Sequence, residues 1–132
     1  MVELDTINKM NNDSHQRMSR VIVVDDDKDS VETLSALLEQ KGVKVVGMGY
    51  NGKDALDLYL QEKPDFVILD MKMPEFDGPY AINKIKQHDP KAKIIAATAY
   101  TDYQFKTGEV LASLKKPYEI SELLNIIKEA SN

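Results

Sequence analysis

The sequence contains no cysteine. That excludes a disulfide scaffold, a thiolate zinc site, an iron–sulfur cluster and a Cys nucleophile. It fits a reducing cytosol, and a cytoplasmic location is the expectation. Long apolar runs are also lacking. The longest are stretches such as Val21–Val24, far short of the ~18 residues that a membrane helix needs. The N-terminal MVELDTINKMNNDSHQRMS has no continuous apolar region of the kind a secretory signal requires. Basic residues are neither clustered nor in excess: Lys and Arg number 17 against 22 Asp and Glu, for a net charge of −5 and a pI near 5.0. Such a surface argues against direct nucleic-acid binding and against docking on an anionic membrane.

What remains is ordinary for a soluble globular chain. The 132 residues are 42% hydrophobic and 30% charged, which suits one domain rather than two. A chain of this length buries roughly two-thirds of its unfolded surface and needs no disulfide or metal staple. Residues 1–19, rich in Asn, Asp, Ser and Gln with scattered Val2, Leu4, Ile7 and Met10, read as a flexible tail. Met18, directly before the first strand-like run, is a candidate alternative start. Residues 20–132 read as the domain.

From Arg20 onward, short β-branched runs alternate with segments of helical spacing. Val21–Val24, Val43–Met48, Phe66–Leu69, Lys93–Ala97 and Val110–Leu114 are the expected strands. Between them, Val31, Leu34, Leu37 and Leu38, then Ala55, Leu56, Tyr59 and Leu60, then Ala81, Ile82 and Ile85 mark helices. Ile120, Leu123, Leu124 and Ile127 give the last helix an i, i+3, i+4, i+7 stripe. Residues 102–108 are ambiguous. Alternating strands and helices imply right-handed βαβ units and a parallel sheet covered on both faces. In such sheets ligands bind beyond the carboxyl ends of the strands, where strand order reverses.

The strand ends hold a distinctive set. The first strand runs into Asp25, Asp26 and Asp27; the third ends in Asp70, the fourth in Thr98 and the fifth in Lys116-Pro117. Carboxylates gathered there raise one another's pKa, and a hard cation such as Mg²⁺ relieves the repulsion while keeping sites for a phosphate. A carboxylate beside it can attack an in-line phosphoryl group, with Lys116 and Thr98 available to the oxygens. Each residue taken alone has a plainer reading. The acidic run suits a helix N-cap, Asp70 a turn, Thr98 a strand-end hydroxyl on backbone, and Lys116 a solvated lysine. Their joint placement at successive strand ends disfavours the plain readings. Gly47 and Gly49 make no phosphate-binding fingerprint, and His15 and His88 have no ligand-spaced partners.

The stretches VIVVDDD (21–27), DFVILDMKMPEFDG (65–78), IIAATAY (94–100) and KKPY (115–118) resemble the receiver domain of two-component response regulators, of the stand-alone chemotaxis or sporulation-relay type. The resemblance covers about residues 20–130. It implies a (βα)5 doubly wound, flavodoxin-like sheet of five parallel strands in the order 2-1-3-4-5. It implies that Asp70 is the phosphoacceptor, that Asp26 and Asp70 ligate Mg²⁺ with the Lys72 backbone carbonyl, and that Asp25 acts partly through water. Thr98 and Lys116 contact the phosphoryl group, and the Lys116-Pro117 peptide is often cis in such domains. Two departures stand out. Lys116 lies only 18 positions after Thr98, so an atypically short, displaced or irregular fourth helix is expected. Three positions before the lysine, where the family often has an aromatic, this chain has Ser113.

The expected function is therefore a phosphoacceptor domain in a phosphorelay. It takes its phosphoryl group from a histidine kinase or phosphotransfer protein and signals to an output protein by contact, since the sequence stops at Asn132 just after the last helix. It is not expected to turn over a substrate, catalysing only its own phosphorylation and dephosphorylation. The alternatives are a small Mg²⁺-dependent phosphohydrolase with an Asp nucleophile, and a scaffold of the same fold that is never phosphorylated.

Overall fold

The structure, a computed structural model, describes residues 18–99 and 104–131. Nine elements are described: β1 Arg20–Val24, α1 Lys28–Gln40, β2 Lys44–Gly49, α2 Gly52–Glu62, β3 Phe66–Asp70, α3 Gly78–His88, β4 Ile94–Thr98, β5 Ala112–Lys115 and α4 Ile120–Ser131. The five strands form one sheet in the order β2-β1-β3-β4-β5, and every neighbouring pair is parallel.

The continuous apolar character of β1, β3 and β4 follows from helices on both sides. Ile22, Val24, Val67, Leu69, Ile94 and Ala96 point to one face, where Ala55 and Tyr59 of α2 and Ala81, Ile82 and Ile85 of α3 pack. Val21, Val23, Phe66, Ile68 and Ile95 point to the other, against Val31 and Leu38 of α1 and Leu123 and Ile127 of α4. The first three helices each begin at a side chain that caps them. Asp27 accepts from the Asp29 amide at α1, Asn51 from the Asp54 amide at α2, and Asp77 from the Tyr80 amide at α3. Such caps contribute about 1 kcal/mol each.

The strands sit within two residues of where the sequence pattern puts them. β5 is the most displaced, starting at Ala112 rather than Val110. The Leu111 amide already bonds to the Ile94 carbonyl, while Val110 turns inward with Phe105 onto the α2/α3 core. Among the described residues, no helix lies between β4 and β5; residues 107–109 form a turn. Part of this connection, residues 100–103, lies outside the described residues, as do 17 of the 19 residues read as a tail. Ser19 is tied to the sheet through its carbonyl, which accepts from the Lys44 amide at 2.8 Å. Ser113 is exposed on β5, so no aromatic occupies that position.

Candidate functional site

Strand order reverses between β1 and β3, whose neighbours lead away in opposite directions. The carboxyl ends of these two strands therefore open onto one crevice. Asp25 and Asp26 leave β1 and Asp70 closes β3. Carboxylate oxygens from all three lie within 4.8 Å of one another. The acidic run divides its work: Asp27 turns away to cap α1 and takes a 2.8 Å bond from the Ser30 hydroxyl. The capping explanation of this run is thus correct for Asp27, and Asp25 and Asp26 are left to the cluster.

Lys116, just past β5, crosses the crevice. Its Nζ donates to Asp25 Oδ2 at 2.8 Å and to Asp70 Oδ1 at 2.9 Å. The Lys116 amide bonds to the Thr98 carbonyl at 2.9 Å, which fixes the root of the lysine to β4. The following peptide, Lys116-Pro117, is cis. Thr98 is buried at the end of β4, one residue beyond Ala97, the β4 partner of Asp70. Lys72 is exposed in the loop that follows β3.

Burial raises the Asp70 pKa above the ordinary carboxyl range; Lys116 opposes this and the charges on Asp25 and Asp26 add to it. Burial pulls the Lys116 ammonium down, but its bonds to Asp25 and Asp70 outweigh burial and leave its pKa raised. Among the described residues, three carboxylates thus face the Lys116 ammonium, which is bonded to two of them. This donor set, all hard oxygen and with negative charge in excess, fits a divalent cation that prefers carboxylate and water ligands.

A cleft of about 940 Å³ runs from this cluster between α1 and the start of α4. Its wall includes Ser30, Thr33, Leu34 and Leu37 of α1 and Tyr118 before α4. None of these was singled out as a site residue from the sequence. Ser30, Thr33, Leu34 and Leu37 share the i, i+3, i+4, i+7 spacing of one helix face, and that face would have been readable had the polar members been counted with the apolar ones. Tyr118 is half-buried, and burial raises its phenol pKa.

The sequence matches the model of the response regulator receiver domain over residues 21–128. It is 34% identical to Protein CcdB of Bacillus subtilis over 83% of this chain and 95% of that protein. It is 33% identical to the chemotaxis protein CheY of Thermotoga maritima over 85% of this chain and 97% of that protein. Among solved structures, it superposes with a TM-score of 0.77 on the response regulator protein TrrA from Thermotoga maritima, in complex with Mg²⁺-BeF. That likeness has 31% sequence identity and covers 85% of this chain and 98% of the other.

Proposed function

The chain belongs to the response regulator receiver domain family, and we propose that Asp70 is the side chain on which this receiver is phosphorylated. The observation that carries the proposal is the meeting of Asp25, Asp26 and Asp70 at the strand-order switch, with Lys116 bonded to Asp70. Asp70 is the buried member of the three carboxylates, and it ends the central strand.

In the proposed reaction, a carboxylate oxygen of Asp70 attacks the phosphorus of a phosphohistidine on a histidine kinase or phosphotransfer protein. A P–O bond forms, the P–N bond breaks, and the imidazole leaves, taking up a proton. Lys116 holds Asp70 as the ionised nucleophile beforehand and passes its ammonium to a phosphoryl oxygen afterwards. The Thr98 hydroxyl donates to a second oxygen. Asp25, Asp26, Asp70 and the Lys72 carbonyl are the groups that would hold Mg²⁺. When bound, that ion offsets the charge of the carboxylates and of the arriving phosphoryl oxygens.

On this reading, the chain catalyses only its own phosphorylation and dephosphorylation. It works in the cytoplasm, and it signals by changing its affinity for an output protein. Residues 20–132 make up the receiver, and residues 1–19 lie outside it. The test is incubation with acetyl phosphate and Mg²⁺ followed by intact-mass analysis. Wild type should gain one phosphoryl group and Asp70→Asn none. Equal labelling of the variant would remove Asp70 as acceptor. Repeated turnover of a generic phosphate ester would instead make the protein a phosphohydrolase.

A further inference from the structure

We propose that Gly52, at the start of α2, is a positioning residue for the cation site: it sets how far the loop after Asp70 stands from Asp25 and Asp26. The proposal rests on the Mg²⁺ reading given above. Its basis is a run of backbone contacts around the outside of the crevice.

The run starts at the first carboxylate loop. The Asp25 amide donates to the Gly49 carbonyl at the end of β2, at 3.1 Å. The corner that follows is locked to α2 by two short bonds, Tyr50 N to Asp54 Oδ2 at 2.9 Å and Asp54 N to Asn51 Oδ1 at 2.8 Å. The Gly52 amide then donates to the Phe76 carbonyl at 2.5 Å. This contact joins α2 to the loop of residues 71–77. A Cβ on residue 52 would stand 2.5 Å from the Asp77 carbonyl oxygen and 2.9 Å from that of Phe76. The next link is Gly78, whose amide bonds to the Met71 carbonyl at 3.0 Å. A Cβ on residue 78 would meet Met71 Cα at 2.6 Å and the Asp70 carbonyl oxygen at 3.0 Å.

This run joins Asp25 to Asp70 by way of the end of β2, α2 and the loop after β3, rather than across the β1–β3 pairing. Its contacts are backbone to backbone or short caps, so it has no flexible side chain to absorb a displacement. At its two ends the loop it presses on has little freedom. Met71 and Met73 are both anchored in the core at 5% exposure, and Asp77 is committed to capping α3. A methyl group at residue 52 therefore displaces Phe76 and Asp77, and the next link, Gly78 packed on Met71, passes that displacement to the backbone between Asp70 and Lys72. A cation that takes oxygens from both loops registers that movement directly, as ligands do when their supporting contacts are disturbed.

The experiment is a calorimetric Mg²⁺ titration of wild type, Gly52→Ala and Gly47→Ala. Gly47 is the control for disturbing the same β2–α2 layer. Its added Cβ would meet Leu58 Cδ2 at 2.8 Å, a movable side-chain end. We expect Gly52→Ala to raise the Mg²⁺ dissociation constant about tenfold or more. The Mg²⁺ concentration for half-maximal labelling by acetyl phosphate should rise in step, with a smaller effect on the rate at saturating Mg²⁺. Gly47→Ala should lower Tm and leave the Mg²⁺ constant unchanged. A folded Gly52→Ala protein that binds Mg²⁺ like wild type overturns the proposal, as does an equal loss in Gly47→Ala. Should Gly52→Ala fail to fold, wild type decides through linkage: Mg²⁺ should slow amide exchange at Gly52 and Gly78, and unchanged exchange at both overturns the proposal. A wild type that binds no Mg²⁺ overturns the cation reading and this proposal together. Binding by wild type with equal binding by the variant overturns this proposal alone.

Discussion

Replacing the phosphoacceptor candidate should make the metal-free protein more stable. The oxygens of Asp25, Asp26 and Asp70 lie within 4.8 Å of one another. At that spacing, with an effective dielectric of about 20, each like-charge pair costs about 3.5 kcal/mol. Asp70 takes part in two such pairs, about 7 kcal/mol in all. Its attraction to Lys116 at 2.9 Å returns about 6 kcal/mol on the same scale. Burial of Asp70 works in the same direction as the repulsion, in keeping with its raised pKa. Asp70→Asn removes the charge and keeps an oxygen for Lys116. The expected gain near neutral pH is about 1 kcal/mol, or about 3–5 °C in Tm for a domain of this size. The pH dependence has a definite sign. A carboxyl whose folded pKa is raised stabilises the fold below its unfolded pKa, and that contribution is lost as pH rises through the folded pKa. The gap between variant and wild type should therefore be small near pH 3 and open as pH rises above about 4. Thermal melts in chelator across this range test it, and saturating Mg²⁺ should close the gap by stabilising wild type. A variant no more stable than wild type near neutral pH, or a gap that does not change with pH, would refute the electrostatic reasoning.

Asp26→Ala should weaken Mg²⁺ binding by about tenfold or more. Asp27→Ala should leave Mg²⁺ binding near wild type and cost about 1 kcal/mol of stability as a lost cap, so equal losses in a titration would contradict the division seen at residues 25–27. The Tyr59 hydroxyl donates to Asp89 at 2.6 Å; burial, then Asp89, raises the phenol pKa, and the bond from Tyr59 lowers that of Asp89. The Asp89 contribution should fade as pH falls below about 4 and the Tyr59 contribution as pH rises above about 10, so Tyr59→Phe should cost about 1 kcal/mol between those limits and flatten both limbs of a stability–pH curve. Limbs of unchanged slope in the variant would show that the pair does not couple stability to pH.

The layered fold was legible because its signal is local and strong. Val21–Val24 and Phe66–Leu69 are apolar on both sides, and a short run of this kind, rich in Val and Ile, suits a strand covered on both faces. The stripe at Ile120, Leu123, Leu124 and Ile127 is the clearest in the sequence, and two of its members, Leu123 and Ile127, are buried against the sheet. The weak point is the approach to β5. Val110 and Leu111 look like the start of a strand, yet Val110 packs on the α2/α3 core and Leu111 is 42% exposed. Two adjacent apolar residues facing opposite ways satisfy a strand pattern and a connection equally well, and periodicity does not separate the two.

The candidate site was legible for a different reason. In a parallel α/β sheet, topology alone carries each strand's last residue to one edge. Position in the chain alone brings Asp25, Asp26, Asp70, Thr98 and Lys116 to that edge. What topology does not specify is the distance between neighbouring strand ends. Separations across the crevice are set by the loops, through contacts between residues far apart in sequence, such as Gly52 with Phe76 and Asp77. A glycine three residues past a strand, after an Asn, reads as a turn or a helix start. Only the opposing backbone shows that Gly52 also leaves room for a carbonyl. The same holds for Lys116, which reads as a surface lysine until the cluster supplies its two acceptors. Residue identity and strand order thus determine which groups meet in the crevice, and the packing of its loops determines how closely they meet, which is the quantity a bound cation responds to.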